Sequence, residues 1–155
     1  ELSIRTGAES DVPCGSCTAC CTSGQFVHIA PDEVATIAAI PAPLLFPAPG
    51  APPGHVLLGY DENGHCPMLI DGACSIYEQR PRTCRAYDCR VFAATGVTPD
   101  ADKPAIAARV SRWRFTFADG KAIATATALR ERAAAIEPGP SATQRAVRAI
   151  EDLGA

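Results

Sequence analysis

No apolar run of about 18 residues occurs in this 155-residue chain, so the sequence offers no helix that could span a membrane. The first 13 residues, ELSIRTGAESDVP, lack the apolar stretch of a signal peptide, although a chain that starts at Glu is compatible with a leader removed earlier. Lysine and arginine number 14 against 17 acidic residues, giving a net charge of −3 and a pI near 5.6. That balance excludes a broad basic surface for nucleic acid, and the acidic excess is too small for an acidic tail. Also missing are a Gly-rich phosphate loop, a G-x-S-x-G elbow, an H-E-x-x-H helix and any constellation of paired carboxylates. These absences point away from an enzyme acting by itself. The expectation is a cytoplasmic protein with no nucleic acid and no membrane among its partners.

Cysteine is present and unevenly placed. All eight lie between residues 14 and 89, as Cys14, Cys17, Cys20, Cys21 and then Cys66, Cys74, Cys84, Cys89. Four crowd into the stretch CGSCTACC, residues 14–21. Disulfides are a poor use of that spacing. Neighbouring Cys20 and Cys21 cannot bridge each other without severe strain, and four thiols in one loop close little chain. Reduced thiols are expected.

Eight is twice the four thiolates that a structural zinc or an iron–sulfur cluster takes. A C-x2-C turn lets two sulfurs converge on one ion, and here it occurs twice in overlap, as Cys14/Cys17 and Cys17/Cys20. Adjacent residues tend to point different ways, so Cys20 and Cys21 are expected to serve different ions or to bridge. Each site would then mix early and late cysteines. Arg80, Arg82, Arg85 and Arg90 surround the second group, against Glu78 and Asp88. They either offset the negative charge of thiolate sites or form a solvated surface. His28, His55 and His65 are spare donors, with His65 beside Cys66 read as exposed or backbone-bonded rather than as a ligand. Tyr77 and Tyr87 are read as packing over the sites.

The elements that carry these residues are short. GQFVHI and VLLGY read as strands, with DENG a turn after the second. APDEVATIAAI reads as a helix with Pro31 at its first position and Val34, Ile37 and Ala38 as its apolar stripe. Residues 41–53 hold six prolines and read as an extended or irregular connection, tucked onto the body by Leu44, Leu45 and Phe46. Pro81 suits the opening of a short helix through Cys84. From Asp102 the chain turns Ala-rich. Pro104 near a helix start sets Ile106, Val110 and Trp113 on one face, and RWRF at 112–115 reads as that helix packing inward rather than as a nucleic-acid module. Ile123, Ala126, Leu129, Ala133 and Ile136 fall at helical spacing, with a hairpin around Asp119–Gly120 as the rival reading. A last helix is capped by Ser141 and Gln144, with Val147, Ile150 and Leu153 inward. The fold expected is a small α+β single domain over residues 1–155. Its cysteine-rich half, residues 14–90, is irregular with short strands, and a mainly helical region follows at 102–153.

The cysteines and their neighbours resemble a known family. CGSCTACC, then Cys66, Pro67 and Leu69, then Cys74, Ile76, Tyr77, Arg80, Pro81, Cys84 and Arg85, with Cys89 completing eight, resemble the CxxCxxCC (YkgJ) family. That family is described as chelating zinc or iron. FVHIAPDEV also looks like its apolar strand and proline-started helix. The resemblance implies a metal domain over roughly residues 14–90 and supplies no reaction. Members described as flagellin lysine methylases carry a similar cysteine module, which implies a partnership with an enzyme.

Three readings follow. The first is a non-catalytic protein whose eight cysteines hold two zinc ions in four-cysteine sites, structural or accessory to a protein partner. The second is an iron–sulfur protein, acting in electron transfer or as accessory to an oxidoreductase or methylase. The third, a thiol oxidoreductase using Cys14/Cys17, leaves six cysteines without a role and lacks a βαβ setting.

Overall fold

A computed structural model describes residues 3–139 and 141–154. The chain is α+β, with short antiparallel strands and several helices. Its contacts gather into two compact units, one over Ser3–Tyr87 and the other from Asp88 onward.

The first unit begins with a single helical turn, α1 (Ser3–Thr6), and then runs without regular structure through the first cysteines to β1 (Val27–Ile29). Helix α2 (Val34–Ala39), a 3-10 turn (Ala42–Leu44), β2 (Leu45–Pro47) and β3 (Val56–Leu58) follow. A hairpin of β4 (Leu69–Ile70) and β5 (Ala73–Cys74), a 3-10 turn (Tyr77–Gln79) and α3 (Arg82–Ala86) complete the unit. The main sheet has the order β1-β3-β2, all antiparallel, with Val27 and Leu45 both opposite Leu58. The proline-rich connection is therefore not purely irregular. It supplies an edge strand, a position in a sheet that tolerates a proline such as Pro47.

Ile29, Ile40, Leu58, Met68 and Ile76 form the core of this unit, and Cys66 and Cys74 pack against it. Each buried aliphatic side chain contributes about 1.5–3 kcal/mol relative to exposure. Polar ties fix the surrounding loops. The Glu33 carboxylate accepts from Ala30 N at 2.8 Å and from Arg82 N at 2.6 Å, joining the end of β1 to the start of α3. Thr36 Oγ1 donates to Gln79 O at 2.7 Å, and Thr83 Oγ1 to His28 O at 2.8 Å.

The helix expected from Pro31 starts three residues later. Glu33 occupies the cap position and spends its carboxylate on the two backbone amides, while Pro31 and Asp32 form a turn. The inward face shifts accordingly. Val34 is 70% exposed, whereas Thr36 and Ile40 are buried.

From Asp88 the chain is helical: α4 (Arg90–Thr95), α5 (Pro104–Val110), α6 (Gly120–Ala135) and α7 (Ala142–Asp152). The helix reading of residues 120–136 stands over the hairpin. Asp119 is a helix cap rather than a hairpin turn residue, its carboxylate accepting from Ala122 N at 2.8 Å. Ser141 caps α7 in the same way, accepting from Gln144 N. Ala133, Ile136, Ala146, Val147, Ala149 and Ile150 are buried, and Arg132 pairs with Asp152 between α6 and α7. Two residues expected inward are not. Ile123 in the first turn of α6 and Leu153 beyond the end of α7 are both exposed, because helix ends outrun the faces that cover them. Trp113 lies beyond the end of α5 rather than on it and is half-buried, with the Arg109 guanidinium 4.5 Å above its ring. Among the described residues no helix is long and apolar enough to cross a membrane.

Candidate metal centre

The first cysteine loop is built from tight turns. Gly15 takes a left-handed φ of 55°, which lets the Cys17 amide return to the Cys14 carbonyl at 2.9 Å. A helical turn follows, with Thr22 N donating to Thr18 O and Ser23 Oγ to Ala19 O. That turn separates the neighbours Cys20 and Cys21. Cys20 faces solvent and Cys21 is half-buried.

Two backbone bonds join this loop to the second group of cysteines. Cys66 N donates to Cys21 O at 2.7 Å, and Gly24 N to Gly64 O at 2.7 Å. Gly24 and Gly64 both have positive φ, and a Cβ on Gly64 would lie 3.6 Å from the Gly24 Cα, so the two backbones pass almost in contact. Cys66 then opens a turn that the Leu69 amide closes by donating to the Cys66 carbonyl at 2.9 Å, and the Met68 and Leu69 amides ease the ionisation of its thiol. Amides beside a sulfur favour its thiolate, although burial outweighs them at Cys66. The β4–β5 hairpin returns the chain so that Cys74 stands opposite Leu69, and Ser75 locks the return with N and Oγ both on the Met68 carbonyl at 2.8 Å. Cys84 arrives on α3, which Pro81 precedes as its cap.

Cys21, Cys66, Cys74 and Cys84 lie near enough for their charges to act on one another, and Cys14 and Cys17 near enough to act on Cys21. The electrostatics record this proximity. Burial pushes the Cys21 thiol up to about 11, and the charges of Cys66, Cys74, Cys17 and Cys14 push in the same direction. Cys84 rises to about 12, again through burial first and then through Cys21, Cys66 and Cys74, with Arg80 opposing. Solvent touches Cys84, yet enough protein surrounds its sulfur to make the charged form costly. Cys66 is also raised by burial, against the pull of its two amides. Thiols that resist ionisation through burial first and one another's charge second are a setting in which a cation is effective, since one positive charge acts on all of them at once.

The donor set fits a thiophilic ion in chemistry and number. No disulfide consumes any of the eight sulfurs. Among the described residues no three Cys, His, Asp or Glu side chains form a group that could hold an ion as placed, so the sulfurs are gathered without being closed around a point.

The remaining predicted residues fall in several places. Cys89 is buried at the start of α4 in the second unit, where its sulfur accepts from Trp113 Nε1 at 3.2 Å. Of the arginines, Arg80 acts on a cysteine, its charge easing the ionisation of Cys84. It also pairs with Glu9 at 3.2 Å and lies 4.1 Å above the Tyr77 ring. Arg82 pairs with Asp32 at 2.7 Å, Arg85 donates to Arg80 O, and Arg90 pairs with Asp88 in the second unit. His65 is held by its backbone amide on the Asp61 carboxylate, and His28 and His55 stack, with Nε2 and Nδ1 2.8 Å apart. Tyr77 is half-exposed, and Tyr87 lines an open pocket of about 340 Å³ together with Arg5, His28 and Arg82. Sequence reasoning missed the Met68 and Leu69 amides. The C-P-x-L spacing was their signal, because a proline after a cysteine starts the kind of turn that aims following amides back at it.

A family model described as "CxxCxxCC: Putative zinc- or iron-chelating domain" matches residues 13–106, more than half of the chain. No curated protein and no solved structure matches it.

Proposed function

By that match the chain belongs to the CxxCxxCC family, and we propose that its thiolates hold two zinc ions that staple the loop-rich unit and present it to a protein partner. The observation that carries the reading is the meeting of Cys21, Cys66, Cys74 and Cys84, drawn from segments far apart in sequence and tied by the Cys66–Cys21 backbone bond. These four sulfurs supply one tetrathiolate site. Cys14, Cys17 and Cys20, on the overlapping C-x2-C turns, supply thiolates to the second.

When bound, zinc supplies a closed, redox-inert cross-link. The chain's own residues do the rest. The Met68 and Leu69 amides partly offset the cost of ionising the buried Cys66 thiol, Arg80 offsets charge at Cys84, and the core side chains beneath Cys66 and Cys74 keep water from the inner face. A staple suits this unit because its strands are two or three residues long and its core is small. The reading is of a binding module, with no catalytic residue assigned. X-ray absorption at the zinc edge tests it. With seven thiolates shared by two ions, the expected result is about three to four sulfur neighbours per zinc at about 2.3 Å, whereas a shell rich in nitrogen or oxygen would overturn the thiolate assignment.

A further inference from the structure

Three aromatic rings lie exposed together on the first unit. Phe26 precedes β1 and is 59% exposed, Phe46 on the edge strand β2 is 39% exposed, and Tyr60 after β3 is 44% exposed. Their rings touch. Phe26 meets Phe46 edge-on with centroids 6.0 Å apart, and meets Tyr60 at a 50° tilt with centroids 5.1 Å apart. They shelter the bare backbone at Gly59, where an added Cβ would sit 3.5 Å from Phe46 and 3.8 Å from Phe26. That contact uses only the ring edges, and the outward faces stay wet. Rings held at angles to one another cannot bury those faces against each other, so the cluster is a surface awaiting a flat partner.

Charge says what kind of partner. The first unit holds Arg5, Arg80, Arg82 and Arg85 against Glu9, Asp11, Asp32, Glu33, Asp61, Glu62, Asp71 and Glu78, and among these acids Glu9 and Asp32 pair with Arg80 and Arg82. Two of these acids, Asp61 and Glu62, follow Tyr60 directly and are exposed. The Asp61 carboxylate is held in place by the amides of Asn63 and His65, and Glu62 adds a second negative charge at the rim. An acidic rim repels phosphate and anionic lipid and attracts a cation. Among cations, guanidinium is the one that lies flat on a ring while its edge N–H groups reach a carboxylate. The chain makes the stacked half of that contact itself, with Arg80 on Tyr77 and Arg109 on Trp113.

We propose that the Phe26–Phe46–Tyr60 face, rimmed by Asp61 and Glu62, docks an arginine-bearing extended segment of a partner protein. This names a surface and a partner chemistry, and it stands independently of which metal the thiols hold.

Fluorescence anisotropy tests it with a labelled Gly-Arg-Pro repeat of twelve residues, added to the zinc-loaded full chain at physiological salt. The expected result is saturable binding that weakens about fivefold or more in Phe26→Ser and in Glu62→Arg, and is lost when citrulline replaces arginine in the peptide. Glu62→Arg changes an exposed turn position, so it keeps the test valid if Phe26→Ser folds poorly. Zinc content measured on each variant separates failure of this face from failure of the metal reading. Absence of saturable binding, or equal binding by wild type and both variants, overturns the proposal. So does a concentration-dependent dimer that Phe26→Ser dissociates, which would assign the face to a second copy of the chain.

Discussion

The Cys66 amide donates to the Cys21 carbonyl at 2.7 Å. This one bond brings the end of CGSCTACC alongside the start of the second cysteine group, and the positive-φ pair Gly24 and Gly64 permits the approach. The sulfurs are therefore drawn together by backbone pairing, and burial first, then the charges of the neighbouring cysteines, raise the Cys21 and Cys84 thiols.

Serine in place of Cys21, Cys66, Cys74 or Cys84 removes a soft ligand while keeping nearly the same volume. Each variant is expected to lose close to one zinc per chain and to melt about 10 °C or more below wild type, since binding energy at a structural site is folding energy. Elemental analysis and calorimetry on the same samples check this. Unchanged zinc and melting temperature in all four would refute the staple.

Zinc affinity is expected to fall steeply with acid. Cys21 and Cys84 titrate at about 11 and about 12, far above neutral, so both carry protons at pH 7 that zinc must displace. Protons compete more strongly as pH falls, so affinity should drop by about a hundredfold or more per pH unit from these two thiols alone. The sign is opposite for the metal-free fold. Thiols raised above their unfolded value favour the folded state below about pH 9, and that preference is lost as pH rises through 11 to 12. Competition titrations with a chromophoric chelator between about pH 6 and 8 measure the first effect. A flat profile would contradict the assignment of these two cysteines.

Gly64→Ala should destabilise the fold by about 1–2 kcal/mol, because Gly64 holds a φ of 77° where it passes Gly24. Gly120→Ala should do the reverse. It opens α6 without a positive φ and with no atom within 4 Å of an added Cβ, so better helix propensity is expected to stabilise by about 0.5 kcal/mol. Urea unfolding of the two variants side by side tells whether backbone conformation, rather than glycine content, is what matters.

Asp119→Ala removes the side chain that accepts from Ala122 N at the start of α6 and is expected to cost about 1 kcal/mol. Asp119→Asn should retain most of that stability in thermal unfolding, since the amide oxygen still accepts. Equal losses in both variants would mean that the carboxylate acts by charge rather than as a cap.

Much of this was legible from residue order. The strands at Val27–Ile29 and Val56–Leu58, the helices after Pro81 and Pro104, and the cap at Ser141 all follow local chemistry that a sequence displays. Local chemistry misled where a side chain had a distant employer. Glu33 suits the first turn of a helix begun at Pro31, yet it serves Ala30 and Arg82, so α2 starts after it and the inward face moves from Val34 to Thr36 and Ile40. The cysteine spacing announced thiol chemistry, but the meeting of Cys21 with Cys66 depends on two glycines whose positive φ no pattern of apolar residues encodes. The exposed rings at Phe26 and Tyr60 were hidden for the same reason, because period and propensity carry no information about which aromatic remains uncovered.

The most direct measurement is elemental analysis joined to an absorption spectrum on protein purified without oxygen. The account predicts about two zinc ions per chain, with no band in the visible. Iron with acid-labile sulfide and a broad violet absorbance would contradict it and make the thiolates an electron-transfer site. Protein without metal and without reactive thiols would contradict it more deeply, by returning the cysteines to disulfides.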